Sequence, residues 1–265
     1  MKKDNKYVGK RSVRIDGKAK ITGTAKYTDD LSFGPKLLHI HVISSPHPHA
    51  EIVSIDTEEA ENMAGVKGVI SGKDYPQKFG LYLKDSSIFP ADKVRYVGQQ
   101  VAAVVAVSKK QAKLAAEKVR VEYKKLPHVQ NCMDSFNYTS TLIHPDLHEY
   151  EVVPWLYPQK GTNIAHVRKI RKGDLEVEFK SADLVLEDEY HVPHVVHAPM
   201  ENHVAVALYD LEGRLTMWNS TQSPHTQRNI LASSLGIPHK DVRIIAPYVG
   251  GGFGGKAGIS MEVIA

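Results

Sequence analysis

The stretch VRIIAPYVGGGFGGKAG, Val242 to Gly258, restricts this chain more than any other. An apolar run with strand character feeds five glycines in six positions, interrupted only by Phe253 and followed by Lys256. Consecutive glycines let a backbone approach a ligand closely and take positive φ, so that neighbouring N–H groups converge on one acceptor. A helix starting behind them would add partial positive charge to the same place. The pattern of strand, glycine loop and helix therefore implies an α/β arrangement with an anion cradle at a strand end. The residues KAGISMEVIA predict the beginning of that helix, which has no capping signal at its far end.

Two phosphate-binding patterns overlap the loop. G-x-x-x-x-G-K fits Gly250 to Lys256, but Ala257 stands where a hydroxyl should meet magnesium. G-x-G-x-x-G fits Gly250, Gly252 and Gly255, but the acidic residue expected roughly 20 positions later falls beyond Ala265. Neither pattern is complete. A second polar loop, NSTQSPH, leaves another predicted strand and enters another predicted helix, placing Ser220, Thr221 and Gln222 at its turn. If the two strands are neighbours in one sheet, both loops meet at one edge, where α/β folds bind ligands.

Elsewhere the periodicities are readable. SKKQAKLAAEKV predicts a helix with Ser108 as N-cap, Gln111 completing the S-x-x-Q box, and Ala112, Ala115, Ala116 and Val119 facing inward. VGQQVAAVVAV predicts a strand buried on both faces. TEEAENMAG predicts a short helix with Thr57 as N-cap and Gly65 at its end. HVAVALYDLEGRLTMWNS predicts a hairpin over His203–Tyr209 and Arg214–Ser220. The segment SPHTQRNILASSLGIP predicts a helix with Ser223 as N-cap, Pro224 at N1 and Gly236 at its close. Between Pro127 and Gly161 the pattern fades into Pro, His, Asn, Ser and Tyr, which reads as a connecting segment. The chain thus divides into 1–126, a connection over 127–161, and 162–265.

Composition excludes several classes. One cysteine, Cys132, rules out an internal disulfide or a cysteine-held cluster within these residues. The net charge of +4 is concentrated near the start, from Lys2 to Lys26, without aromatic interleaving or a nucleic-acid motif. That arm reads as solvated or as lying on a partner subunit. MKKDNKYVGK lacks an apolar core behind its lysines, so it is no signal peptide, and no run approaches the ~18 apolar residues of a membrane span. A cytoplasmic protein is expected. His191, His194 and His197 are spaced by three with Glu201 and His203 beyond, but Pro193 and Pro199 prevent the single helix that would align them as metal ligands.

The ordered motifs KITGTAKYTDDL, SPHPHAEIVSID, DKVRYVGQQVAAVVAV, HAPMENHVAVA, WNSTQSPHTQR and VRIIAPYVGGGFGGK resemble the molybdopterin-binding subunit of xanthine dehydrogenase/aldehyde oxidase-type molybdenum hydroxylases. The resemblance covers nearly the whole chain. It implies an α/β (α+β) fold: an α/β hammerhead domain with its N-terminal arm, then the first part of a molybdenum-cofactor-binding domain. It implies that Gln222 points at a molybdenum oxo group and that Gly251, Gly252, Phe253 and Gly254 lie along the pterin and metal centre, with no direct protein ligand to the metal.

The implied reaction is hydroxylation of an aldehyde or N-heterocycle carbon with water as oxygen donor. The implied cofactor is molybdopterin, in its mononucleotide or cytosine dinucleotide form, with [2Fe-2S] and FAD on partner chains. The family's general-base glutamate lies beyond the residues present, and Glu262, just past the loop, is not its counterpart. No catalytic residue is therefore expected in this chain, which would act together with a remaining molybdopterin-binding chain, an iron–sulfur subunit and an FAD subunit, or be a truncated product. Ala257 replaces the glutamate that xanthine-oxidising relatives often carry after G-G-K, which does not favour purine, and VGQQ stands at Val97–Gln100 where V-G-Q-P is common. The alternative is a non-catalytic scaffold that docks partner chains without cofactor.

Overall fold

The computed structural model describes residues 6–136, 141–258 and 265. The chain forms two compact units, one of residues 36–198 and the other of the first 35 residues together with residues 199 onward. Both mix helices with small sheets, as the α/β (α+β) reading requires. Among the described residues no helix is long and apolar enough to cross a membrane.

In the unit of residues 36–198 the strands are β1 (His39–Ser44), β2 (Ala50–Asp56), β3 (Val66–Ser71), β4 (Gln100–Ala106) and β5 (Arg120–Lys125), and helix α1 covers Lys109–Ala116. Strand β4 is central, antiparallel to β1 on one side and β3 on the other. Val101 and Val104, three residues apart and so on opposite faces, are both fully buried. Val104 packs with Ala60, Ala115 and Ala116, whereas Val101 packs with Ala50 and Val94. The predicted strand buried on both faces is therefore the shared wall of two small cores. A second sheet sets β2 between β5 and the short strand Lys93–Val94.

Helix α1 starts as its sequence predicts. Ser108 Oγ accepts from Gln111 N at 3.2 Å, and Ala112, Ala115 and Ala116 are buried. The Gln111 side chain differs from the usual box: its Oε1 accepts from Ser108 Oγ, and its Nε2 donates to Ala64 O at 3.1 Å. Gly65, at φ +85°, makes room for it, since a Cβ there would lie 2.2 Å from Gln111 Nε2. Thr57 precedes the short helix but makes no side-chain cap bond; its hydroxyl donates to Glu61 Oε1 instead.

Residues 141–161 are joined to this unit through Lys84 N to Glu151 O at 2.9 Å and Arg95 Nε to Ile143 O at 3.1 Å. Helix α2 (Leu175–Ser181) is capped by Asp174, which accepts from Glu176 N and Val177 N.

The other unit holds β6 (Ala205–Tyr209), β7 (Leu215–Asn219), helix α3 (Pro224–Leu235) and β8 (Val242–Ile245). The hairpin β6–β7 turns on Asp210, whose carboxylate accepts from Glu212 N and Arg214 N, with Gly213 at φ +82°. Strand β8 pairs with β7 in parallel, so β7, α3 and β8 form a βαβ unit closed over Leu215, Ala232 and Val242. Pro224 begins α3 and Gly236, at φ +66°, ends it. Of the basic N-terminal arm, the described residues up to Ile15 are exposed, whereas those from Lys20 onward make contacts within this unit. Tyr27 bridges Tyr248 alongside β8, Phe33 meets the Trp218 ring edge-on at 5.0 Å, and Lys20 Nζ lies 5.7 Å from the centre of the Tyr248 ring. This part of the arm packs on its own chain because aromatic residues are interleaved in space, though not in sequence.

Candidate functional site

Two parallel neighbours send their chains out at the same sheet edge. Strands β7 and β8 are such a pair, so residues 220–223 and 246–258 leave side by side. The loops are bonded to each other, as their topology requires. Gln222 N and Thr221 Oγ1 both donate to Lys256 O, at 2.9 and 3.3 Å. Ser223 Oγ donates to Ala257 O rather than capping α3, and Gln227 Nε2 reaches from α3 to Gly258 O at 2.9 Å. The buried Gln227 is held in turn by Asn219 at the end of β7.

Gln222 is the hinge pin of this edge. Its Oε1 accepts from Gly254 N at 3.0 Å and from Lys256 N at 3.2 Å. Two N–H donors on one atom identify that atom as the oxygen and leave the Nε2 amide as a donor for something else. Gly252 is the residue that allows this approach. A Cβ on Gly252 would lie 2.4 Å from Gln222 Oε1 and 2.5 Å from its Cδ.

The glycine loop bends back on itself. Gly251, Phe253 and Gly254 all have positive φ, at +100°, +53° and +92°. Phe253 is one of only two non-glycine residues with positive φ among the described residues, and it is 73% exposed. It therefore plugs no core. Gly250 N donates to Glu201 Oε2, Gly254 N to Gln222, and Gly255 N to Gly252 O. Among the described residues no protein group accepts from the N–H of Gly251, Gly252 or Phe253. Three successive donors, one of them on the buried Gly252, are thus left by the protein for another acceptor such as a bound anion.

Sequence reasoning missed the partner of Lys256. The lysine is wholly buried, and its Nζ donates to Glu201 Oε2 at 2.9 Å and Glu201 O at 2.8 Å. Glu201 is 10% exposed, also takes the Gly250 N–H at 2.7 Å, and has its Oε1 buried with no partner. A lysine so engaged cannot cradle a phosphate, which removes the P-loop reading. The only sequence signal for Glu201 was its place after the histidine run. Those histidines gather no site: no group of three or more metal-ligating side chains occurs among the described residues. The helix predicted after Lys256 lies, from Ile259 to Ile264, outside the described residues.

Comparison with known proteins gives the class of protein to which this fold belongs. Residues 22–127 match the family model for the aldehyde oxidase and xanthine dehydrogenase a/b hammerhead domain. Residues 156–265 match that for the molybdopterin cofactor-binding domain. The chain belongs to the xanthine dehydrogenase/aldehyde oxidase family of molybdopterin-binding proteins.

In particular, it is similar to a probable xanthine dehydrogenase component of Bacillus subtilis, 36% identical over 96% of this chain and 32% of that one. It is equally similar to the nicotinate dehydrogenase large molybdopterin subunit of Eubacterium barkeri, 36% identical over 99% of this chain and 58% of that one. Among solved structures it superposes on a Cu,Mo carbon monoxide dehydrogenase with a TM-score of 0.81 at 28% identity, over 97% of this chain and 33% of that one. The chain thus spans between about a third and three fifths of the length of these relatives.

Proposed function

We propose that the edge formed by Gln222 and Gly251–Gly254 holds the molybdenum end of a molybdopterin cofactor, and that the chain is a portion of the cofactor-binding subunit of a molybdenum hydroxylase. The observation that carries this reading is the set of unclaimed donors: three successive loop N–H groups and the Gln222 amide, whose oxygen is already engaged by the loop. Donors without acceptors suit a group rich in anionic oxygen and sulfur. The chemistry of the donor set fits an oxo-molybdenum dithiolene and fits poorly a cation. Gly251, Gly252 and Phe253 would hold it through backbone N–H, Gly254 would keep Gln222 in place, and Gln222 would donate through Nε2.

When bound, the cofactor supplies two-electron oxidation of an aldehyde or N-heterocycle carbon with water as the oxygen donor. The chain's own residues orient the group and exclude water from one side of it. Among the described residues they include no general base at this edge. Glu201, the carboxylate beside the loop, is neutralised by Lys256 and occupied by Gly250 N–H. We therefore place the base, the substrate pocket and the [2Fe-2S] and FAD centres on polypeptide outside these 265 residues.

Purification of the tagged chain from its native host, with metal and pterin analysis and mass spectrometry of co-purifying chains, tests the reading. It predicts molybdenum and pterin near one per chain, with iron–sulfur and flavin chains in the same complex. A complex with neither molybdenum nor pterin would refute it and leave a scaffold role.

A further inference from the structure

We propose that the Glu201–Lys256 ion pair is a positioning device: it fixes the curvature of the glycine loop, and so the direction of the Gly251–Phe253 N–H groups, without itself touching the ligand. The inference rests on the cofactor reading above and adds to it a residue pair that sets the cradle's shape.

The geometry singles out the pair. Glu201 holds the loop at both ends. It pairs with Gly250 in both directions, through Gly250 N to Oε2 and Glu201 N to Gly250 O at 3.2 Å, and it takes the Lys256 ammonium on the same Oε2. The five residues between, 251–255, are thereby closed into a ring by one carboxylate. Gly250 presses against that side chain so closely that a Cβ there would lie 2.5 Å from Glu201 Cβ. Lys256 is the crossing point: its side chain goes to Glu201, while its N–H and C=O both go to Gln222. A change in the pair is thus transmitted directly to the amide whose free end faces the ligand.

Stability alone does not account for the pair. Buried ion pairs seldom stabilise a fold more than apolar side chains of the same volume, because desolvation offsets their attraction. Here one carboxylate oxygen, Glu201 Oε1, is also left buried without a partner. Retaining a charge under those terms is understandable if its direction matters.

The test uses the near-isosteric double variant Glu201→Gln/Lys256→Met, which removes both charges together. Thermal unfolding of the full chain, amide exchange of Gly254 and Lys256 by NMR without cofactor, and molybdenum per chain with the Mo(V) EPR signal in the native assembly are measured side by side. We expect an unfolding temperature near that of the parent, amide exchange faster by about tenfold or more, and a comparable loss of molybdenum with a broadened EPR signal in what remains. A double variant with parental exchange, metal content and EPR would overturn the assignment. One that fails to fold would overturn it too, making the pair a stability element. If the parent itself carries no molybdenum, the cofactor reading fails while the exchange rates still judge the pair.

Discussion

Replacing Gly252 by alanine probes the site's central contact with one methyl group. Gly252 does not have positive φ, so the substitution adds no left-handed backbone strain. The new Cβ would lie 2.4 to 2.7 Å from Gln222 Oε1, Cδ and Cγ. Gln222 is exposed and flexible, so it retracts, and the cost lies in the hydrogen bonds it gives up. Those are two, from Gly254 N and Lys256 N. At roughly 1 kcal/mol each, Gly252→Ala should destabilise this unit by about 2 kcal/mol.

Gln222→Ala loses the same two bonds and should cost a similar amount. The double variant should cost no more than either alone, because the atoms the methyl strikes are gone. A double-mutant cycle should therefore show a coupling of about 2 kcal/mol. Urea unfolding supplies the assay. The chain has two tryptophans, Trp155 in the unit of residues 36–198 and Trp218 on β7, so a Trp155→Phe background isolates the fluorescence of the relevant unit. Additive costs, with a coupling near zero, would refute the claim that Gly252 is glycine because Gln222 must approach it.

Other consequences are simpler to measure. Gly251→Ala places a side chain at φ +100°, and should cost about 1–2 kcal/mol in the same assay whether or not Gln222 is present. Ser108→Ala removes the α1 cap and the anchor of the Gln111 side chain, and should cost about 1 kcal/mol in the unit of residues 36–198. His144 is pushed down to about 4, chiefly by burial and then by Arg95. Its folded state binds fewer protons than the unfolded chain, so the stability of that unit should fall as pH drops from about 6.5 to about 4. NMR titration should find its midpoint near 4, and His144→Gln should remove that part of the acid dependence.

What was legible in the sequence was whatever depends on neighbours along the chain. The cap of α1, the proline start and glycine end of α3, the hairpin at Asp210 and the buried character of β4 all follow from patterns within about a dozen residues. The meeting of the Gln222 and glycine loops also followed, once the strands preceding them proved to be parallel neighbours.

What was hidden depended on distant partners. Tyr27 and Tyr248 meet across most of the chain, a contact between residues 221 positions apart that no local pattern announces. Glu201 lies 49 residues before Gly250, and no local pattern announces a carboxylate that will bind a loop N–H and a buried ammonium. Lys256 looked like a ligand residue because lysine after glycines usually is one. Its burial, not its position, decides its role.

The most direct test of the account is a cryo-EM structure of the complex purified from the native host through this chain. The account predicts density for a molybdenum–pterin group against the N–H groups of Gly251, Gly252 and Phe253, with the Gln222 amide nitrogen directed at it. A molybdenum centre bound elsewhere in the complex, with this edge empty or filled by protein, would contradict it.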